Sequence, residues 1–250
     1  MSDPDNFPLR RPEIADSLRR GEEAITRLMA PHRKVVSRGD FVIPQGSDHD
    51  FVHRVRSGWA GRVRFLPDGR SQFILVFLPG DLFAVKSMFM TTHGDAVVAL
   101  TDLVVEQIDQ RRLKEAFDRD GDVAARCIFQ VIEEERRLHN WVTALGQGDA
   151  DERMAHMLLE FRGRLVRAGV LAHGAVEFDL PMTQEQLGGF LGVTTVHVSR
   201  VLKRLRDSEL VVISRGVARL LDVPALERLA AALQDAYERE APEYGGEARS

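Results

Sequence analysis

Cysteine is almost missing from this chain: Cys127 is the only one in 250 residues. That excludes a disulfide framework within the chain. It also excludes a four-thiolate zinc or iron–sulfur site built by one subunit. Long apolar runs are missing as well. The longest, Phe73 to Leu78, falls far short of the roughly 18 residues that span a bilayer. The stretch from Met1 to Phe7 has neither the apolar middle nor the small-residue cleavage site of a secretory signal. A cytoplasmic protein with no membrane partner is therefore expected. Excess positive charge is lacking too: 34 basic and 38 acidic residues give a net charge of −4. Averaged over the chain, that balance argues against bulk attraction to nucleic acid. Compositional bias is absent, at 44% hydrophobic and 29% charged residues, which excludes a fibrous or wholly disordered chain. At roughly 100–200 residues per domain, the length suggests two domains.

What is present changes character near residue 110. Before it, a helix is expected over Glu13–Met29, with an apolar face of Ile14, Leu18, Ile25 and Leu28. Short strands are then expected at Lys34–Val36, Phe41–Ile43, Val52–Val55, Gly61–Phe65, Gln72–Phe77, Val97–Leu100 and Leu103–Ile108. Turn signals separate them, among them Arg38-Gly39-Asp40, Pro67-Asp68-Gly69 and Pro79-Gly80-Asp81. Evenly spaced short strands suggest a small barrel, roll or sandwich.

After residue 110 the pattern is helical: Arg111–Phe117, a long helix from Asp122 to Leu145, and Glu152–Val166. On the long helix Ala124, Ile128, Val131, Glu135, Leu138, Val142 and Leu145 repeat at spacings of 4 and 3. An unbroken 3.5-residue period suits a coiled-coil dimer seam; the alternative is that this face packs on the roll of its own chain. Glu135 departs from the apolar pattern. Gly146-Gln147-Gly148-Asp149 reads as a hinge, with Asp149 or Asp151 capping the next helix.

Phe178–Leu180 reads as a short strand. Beyond it, Thr183 with Gln186 makes a capping box for a helix over Gln184–Leu191. Gly192 breaks that helix, and Thr194 caps a second one reaching about Ser208. Helix, glycine turn and capped helix make a helix-turn-helix. Leu187, Leu191, Val198, Val201, Leu202 and Leu205 are expected to face inward. Thr195, Val196, Ser199, Arg200 and Lys203 occupy the outer face. Two apolar strands around Arg215-Gly216 form a hairpin, or wing. Residues 194–219 hold six basic residues and two acidic ones, a local +4 inside a chain of −4. That asymmetry suits phosphate binding. Double-stranded DNA is the expected partner, met by Thr183, Thr194, Thr195, Val196, His197, Ser199, Arg200, Lys203 and Arg215.

The run Met182-Thr183-Gln184-Glu185-Gln186-Leu187-Gly188-Gly189-Phe190-Leu191-Gly192-Val193-Thr194-Thr195-Val196-His197-Val198-Ser199-Arg200-Val201-Leu202 resembles the reading head of the Crp/Fnr family of bacterial transcription regulators. Arg38-Gly39-Asp40, Gly58, Leu66-Pro67-Asp68-Gly69-Arg70 and Leu78-Pro79-Gly80-Asp81-Leu82-Phe83 resemble that family's β-roll. The likeness covers roughly residues 25–230. It implies an α+β chain: a jelly-roll-like sensor of the cyclic-nucleotide-binding kind over 1–117, a dimerisation helix and hinge over 118–148 and a winged helix-turn-helix domain over 149–236; by its Pro, Gly and charged composition, 237–250 reads as a flexible tail. It implies a homodimer that binds a pseudo-palindromic operator, with no enzymatic activity, and RNA polymerase as a partner if the protein activates.

Two departures narrow that expectation. Cyclic-nucleotide binders of the family carry a Gly-Glu pair shortly after the Pro-Gly-Asp turn and an Arg-Ser/Thr pair further on. Here Ala84-Val85 stands at the first place, followed by Lys86, and residues 91–96 contain no arginine. A cyclic phosphodiester without a cationic partner or cradle is poorly held. cAMP and cGMP are therefore not expected, no cofactor is expected, and any effector near Phe83, Val85 and Lys86 is of unknown identity. In the reading helix, Val196 stands where many members have a glutamate that accepts from cytosine N4. Arg200 keeps the ability to fork onto guanine. The family's oxygen-sensing branch uses an N-terminal cysteine cluster, which is absent. Cys127 is expected as a buried thiol, with a redox role as the alternative. His53 and His139 are the candidate haem ligands. A cupin-like metal enzyme would need more than His49 and His53, since no His-x-His followed by Glu completes a site.

Overall fold

The structure, a computed structural model, describes residues 12–233. The expected flexible tail lies outside the described residues. Helix α1 (Pro12–Met29) leads into eight strands: β1 (Arg33–Val36), β2 (Phe41–Ile43), β3 (Phe51–Ser57), β4 (Ala60–Phe65), β5 (Ser71–Phe77), β6 (Leu82–Phe83), β7 (Ala96–Ala99) and β8 (Leu103–Asp109). A short 3-10 turn, Val85–Met88, separates β6 from β7. The strands form two antiparallel four-stranded sheets, ordered β1-β8-β3-β6 and β2-β7-β4-β5. Their inner faces meet in an apolar core that includes Ile43, Val55, Phe77, Phe83, Leu103 and Val105.

The second half is helical. It contains α2 (Gln110–Arg119), α3 (Gly121–Gln147), α4 (Ala150–Arg167), β9 (Glu177–Asp179), α5 (Gln184–Leu191), α6 (Thr195–Asp207), the hairpin β10 (Val211–Ser214) and β11 (Val217–Leu220), and α7 (Val223–Ala230). β9 joins the hairpin as a third strand. The 3-10 turn, β6 and α7 are the elements that sequence patterning missed. β6 is only two residues long, and the 3-10 turn follows Ala84 in a left-handed conformation, φ 62°, rare for a residue with a Cβ. α7 did leave a signal: Asp222 accepts from the Ala225 amide and Pro224 sits in the first turn. In α1, Leu18 and Ile25 are buried as expected, but Ile14 is exposed.

The roll and the C-terminal helices share one core. Trp59, Val63, Phe73 and Leu78 of the roll pack with Trp141 of α3, Phe161 of α4 and Phe190 of α5. Trp59 meets Phe161 edge-on at 5.3 Å between ring centroids, and Trp141 meets Phe190 at 4.3 Å. Gly148, at the expected hinge, is tightly enclosed: a Cβ there would come within 2.8 Å of Leu233 and 2.9 Å of the Ala144 carbonyl.

Buried charge ties these parts together. Asp81, in the turn before β6, accepts from the Leu78 amide at 2.7 Å and from the Arg164 guanidinium of α4. Arg137 of α3 approaches the same carboxylate at 3.5 Å. Arg164 also donates to Glu160 at 3.0 Å and to the Val76 carbonyl at 2.8 Å, and the Trp141 indole donates to Glu160 at 3.1 Å. Burial alone would raise the Asp81 carboxyl, but Arg164 and Arg137 hold it below its ordinary value. A second network joins Glu22 of α1 to Arg54 of β3 at 2.8 Å and to Arg126 of α3 at 2.7 Å, while Arg54 also donates to Glu106 of β8.

Removing one partner of a buried ion pair leaves the others uncompensated. Asp81→Asn is expected to destabilise the chain by roughly 3–5 kcal/mol, read from the midpoint shift in urea at constant slope.

Candidate nucleic-acid interface

The helix-turn-helix is built from capping and turn chemistry. Thr183 accepts from the Gln186 amide at 3.2 Å, and the Gln186 side chain returns the bond to the Thr183 amide at 2.9 Å. α5 ends at Gly192, whose φ of 67° suits glycine in a left-handed cap. Thr194 then accepts from the His197 amide at 3.3 Å and starts α6. Leu187, Leu191, Val198, Val201 and Leu205 are buried, and Leu202 is half-buried. α6 is thus pinned by one face, with the other turned to solvent.

On that outer face Thr194, Thr195, Val196, His197, Ser199, Arg200 and Lys203 are all exposed. Thr183 is exposed at the start of α5. Ser199 Oγ donates to Gln184 at 2.7 Å, which ties the two helices together. The wing turns through Arg215 and Gly216, with φ values of 51° and 77°. This is the double left-handed signature of a tight hairpin turn, and it sets Arg215 at an exposed tip.

The local charge is smaller than the sequence count. Arg204 turns back onto Asp151 of α4 at 2.5 Å, and Arg219 pairs with Glu177 of β9 at 2.6 Å. Adding those two carboxylates lowers the balance of the surface from +4 to +2. Among the described residues, Arg200, Lys203 and Arg215 have no acidic partner. What survives is a compact set of free cations on α6 and the wing, which can meet phosphates and base edges.

α3 carries two different faces. Val123, Cys127, Trp141 and Ala144 are buried against the rest of the chain. The heptad positions point away from it: Ile128, Val131, Val142 and Leu145 are exposed, with Val142 at 69%, and Glu135 is exposed beside them. Ala124 and Leu138 are half-buried. Ile132, outside the strict repeat, is 50% exposed and widens the stripe. The alternative in which this face packs on its own roll is therefore not what the fold does.

The roll gives the other candidates different surroundings. Phe83 is fully buried and stacks between His53 at 5.1 Å and Phe77 at 4.8 Å. Val85 lies in the apolar cluster with Ile25, Met29 and Cys127. Neither side chain has free surface to offer a ligand. Lys86 is half-buried, and burial together with nearby Arg62 holds its ammonium below its ordinary value. Arg62 of β4 is engaged by Glu134 of α3 at 2.8 Å, so the chain's own carboxylate bridges roll and long helix. Cys127 is buried, and desolvation pushes its thiol up to about 11, which keeps it protonated and unreactive.

His139 is exposed on α3, whereas His53 is buried in the roll. His49 and His53 do share a face, with Nε2 atoms 2.7 Å apart. His93, which spacing gave no reason to include, packs 5.5 Å from His49. Even so, among the described residues no group of three or more His, Cys, Asp or Glu side chains is arranged to hold a metal. No described helix is long and apolar enough to cross a membrane.

Comparison with known proteins matches this geometry. Residues 33–120 match the cyclic nucleotide-binding domain model, and residues 152–229 match the Crp-like helix-turn-helix domain model. The transcriptional activator protein FnrL of Cereibacter sphaeroides is 29% identical over 209 residues, covering 80% of this chain and 84% of FnrL. The nitrogen fixation regulation protein FixK of Bradyrhizobium diazoefficiens is 28% identical over 196 residues, covering 78% of this chain and 81% of FixK. The solved structure of FixK2 from Bradyrhizobium japonicum superposes with a TM-score of 0.72 at 26% identity, covering 79% of this chain and 96% of that one. With both halves matched in order and the fold shared along most of its length, the chain belongs to the Crp/Fnr family of transcription regulators.

Proposed function

We propose that this regulator works in the cytoplasm as a homodimer that sets one α6 into each of two adjacent major grooves. The roll, 1–117, would sense; the helix and hinge, 118–148, would pair; and 149–236 would read DNA. The observation that carries this reading is that the capped helix α6 presents Arg200 and Lys203 free of acidic partners, while α3 leaves an apolar stripe uncovered. A two-fold dimer requires a pseudo-palindromic operator with half-sites about 34 Å apart. Arg200 would fork onto a guanine, Val196 would meet a thymine methyl, and Thr194, Thr195 and His197 would meet phosphates or base edges near the helix N-terminus. Thr183, Ser199, Lys203 and Arg215 would hold the backbone. RNA polymerase is the partner if the bound protein activates, and no enzymatic step is involved.

We further infer that cyclic nucleotides do not gate it. Where the family's binders carry Gly-Glu, the chain has Ala84-Val85, both buried, and Arg62 is already engaged by Glu134. Saturating cAMP should leave DNA affinity unchanged in a titration. A tenfold or larger gain would restore a ligand site that these residues do not supply. The alternative, a different small-molecule or redox effector, gains nothing from the buried, protonated Cys127.

Two substitutions test the reading surface. Arg200→Ala should weaken binding to a selected operator by about 1–3 kcal/mol and relax preference at one base pair. Lys203→Ala should weaken all duplexes alike and lower the salt slope by about 1 per subunit. Equal weakening on random DNA by Arg200→Ala would contradict base reading. The seam is tested by Ile128→Asp and Val142→Asp, because each apolar side chain is worth about 1.5–3 kcal/mol when buried. Sedimentation should show twice the 28.1 kDa chain mass for the parent and the single-chain mass for the variants.

A further inference from the structure

His53 on β3, His49 just before that strand and His93 in the segment before β7 converge in the roll. His49 and His53 stack with ring centroids 4.9 Å apart, their Nε2 atoms touching at 2.7 Å. One of those nitrogens must donate and the other must accept, so the contact cannot survive with both rings protonated. The other nitrogen of His53, Nδ1, is buried without a hydrogen-bond partner. On an imidazolium it would carry a proton with nothing to receive it, and an unsatisfied buried donor is costly. His93 is buried and tied through Nε2 to Ser87 Oγ at 2.8 Å.

The charges around the cluster favour neutral rings. Lys34 of β1 lies near His49 and His53, and Lys86 of the 3-10 turn and Arg62 of β4 lie near His93. Asp50 beside His49 and Asp95 beside His93 oppose them weakly. Burial and these cations hold all three rings below their ordinary value, His93 at about 4.

The cluster is also mechanically placed. His53 pairs with Phe83 and Arg54 with Leu82, so β3 holds β6. The Val55 amide donates to the Asp81 carbonyl at 3.0 Å, and the Gly80 amide donates to the Val55 carbonyl at 2.9 Å. β3 therefore also holds the turn whose Asp81 anchors α4.

We propose that His49, His53 and His93 form a proton-operated switch: protonation of both His49 and His53 breaks their contact, frees β6 and the 3-10 turn from β3, and loosens the Asp81 anchor of the reading head. The step from anchor to DNA rests on the functional reading above. The sign follows from the lowered values in the folded state. The neutral rings support the closed roll at and above about pH 6.5, and that support is lost as pH falls toward 4.

Hydrogen–deuterium exchange of the full-length protein tests it. If a released His93 titrates at its ordinary 6.5 and a closed one at about 4, the opening constant rises roughly 30-fold between pH 7.5 and 5.0 from this residue alone. Protection factors over residues 82–90, corrected for intrinsic exchange, should fall by at least that much. His49→Gln/His93→Gln keeps an acceptor for His53 and removes two of the three titrations, so the fall with pH should be smaller than in the parent. Protection independent of pH in the parent chain overturns the switch even if the variant does not fold. A fall of equal size in a folded variant overturns it too. A parent fall with unchanged affinity for duplex DNA overturns the link to the reading head. The exchange measurement needs no DNA, so its result is separate from the reading of α6.

Discussion

One half-buried carboxylate, held by two buried arginines, keeps the two halves of this molecule in register. Asp81 sits in a roll turn and is shared by Arg164 of α4 and Arg137 of α3, while Glu160 balances the second positive charge. Two guanidiniums and two carboxylates make a neutral set, which is what burial demands. Around it the aromatic contacts of Trp59, Phe161, Trp141 and Phe190 supply the apolar area. The reading head is therefore seated on the roll by a shared core and a charge-matched anchor, rather than tethered by a free hinge. Gly148 fits this view, since its missing side chain lets Leu233 approach.

The long helix divides its labour by face. Its inward side meets the roll and α4 with Cys127, Arg137 and Trp141. Its outward side carries an apolar stripe that the chain leaves uncovered. An exposed apolar stripe of this kind suits an interaction site. Because the anchor grips the inward side of the same helix, a change in how two α3 helices pair in the proposed dimer would be felt by α4, and through it by α6. In the proposed dimer, the free cations Arg200, Lys203 and Arg215 would be what faces DNA.

Much of this was legible in the sequence where the deciding physics is local. Thr183, Gln186, Gly192 and Thr194 announce caps and a turn within a few residues of each other, and α5 and α6 lie where those signals put them. The 3.5-residue period on α3 marked the stripe that the fold leaves open. Other features depend on partners far along the chain. Asp81 reads as a turn residue, because its partner Arg164 is 83 residues away. The local +4 overstates the reading surface, because Asp151 and Glu177, which neutralise Arg204 and Arg219, lie outside residues 194–219. Phe83 and Val85 were marked by their place in a family pattern, yet packing makes them core. His93 joins His49 only once β3 and the segment before β7 are brought together by the sheets.

In the proposed dimer, two copies of α6 read DNA across a two-fold axis. Hydroxyl-radical footprinting of the full-length protein on an operator selected from random duplex tests it most directly. The account predicts two protected patches on one face of the duplex, centred about one helical turn apart and related by a pseudo-palindrome. A single protected patch, or a selected site without two-fold symmetry, would contradict it.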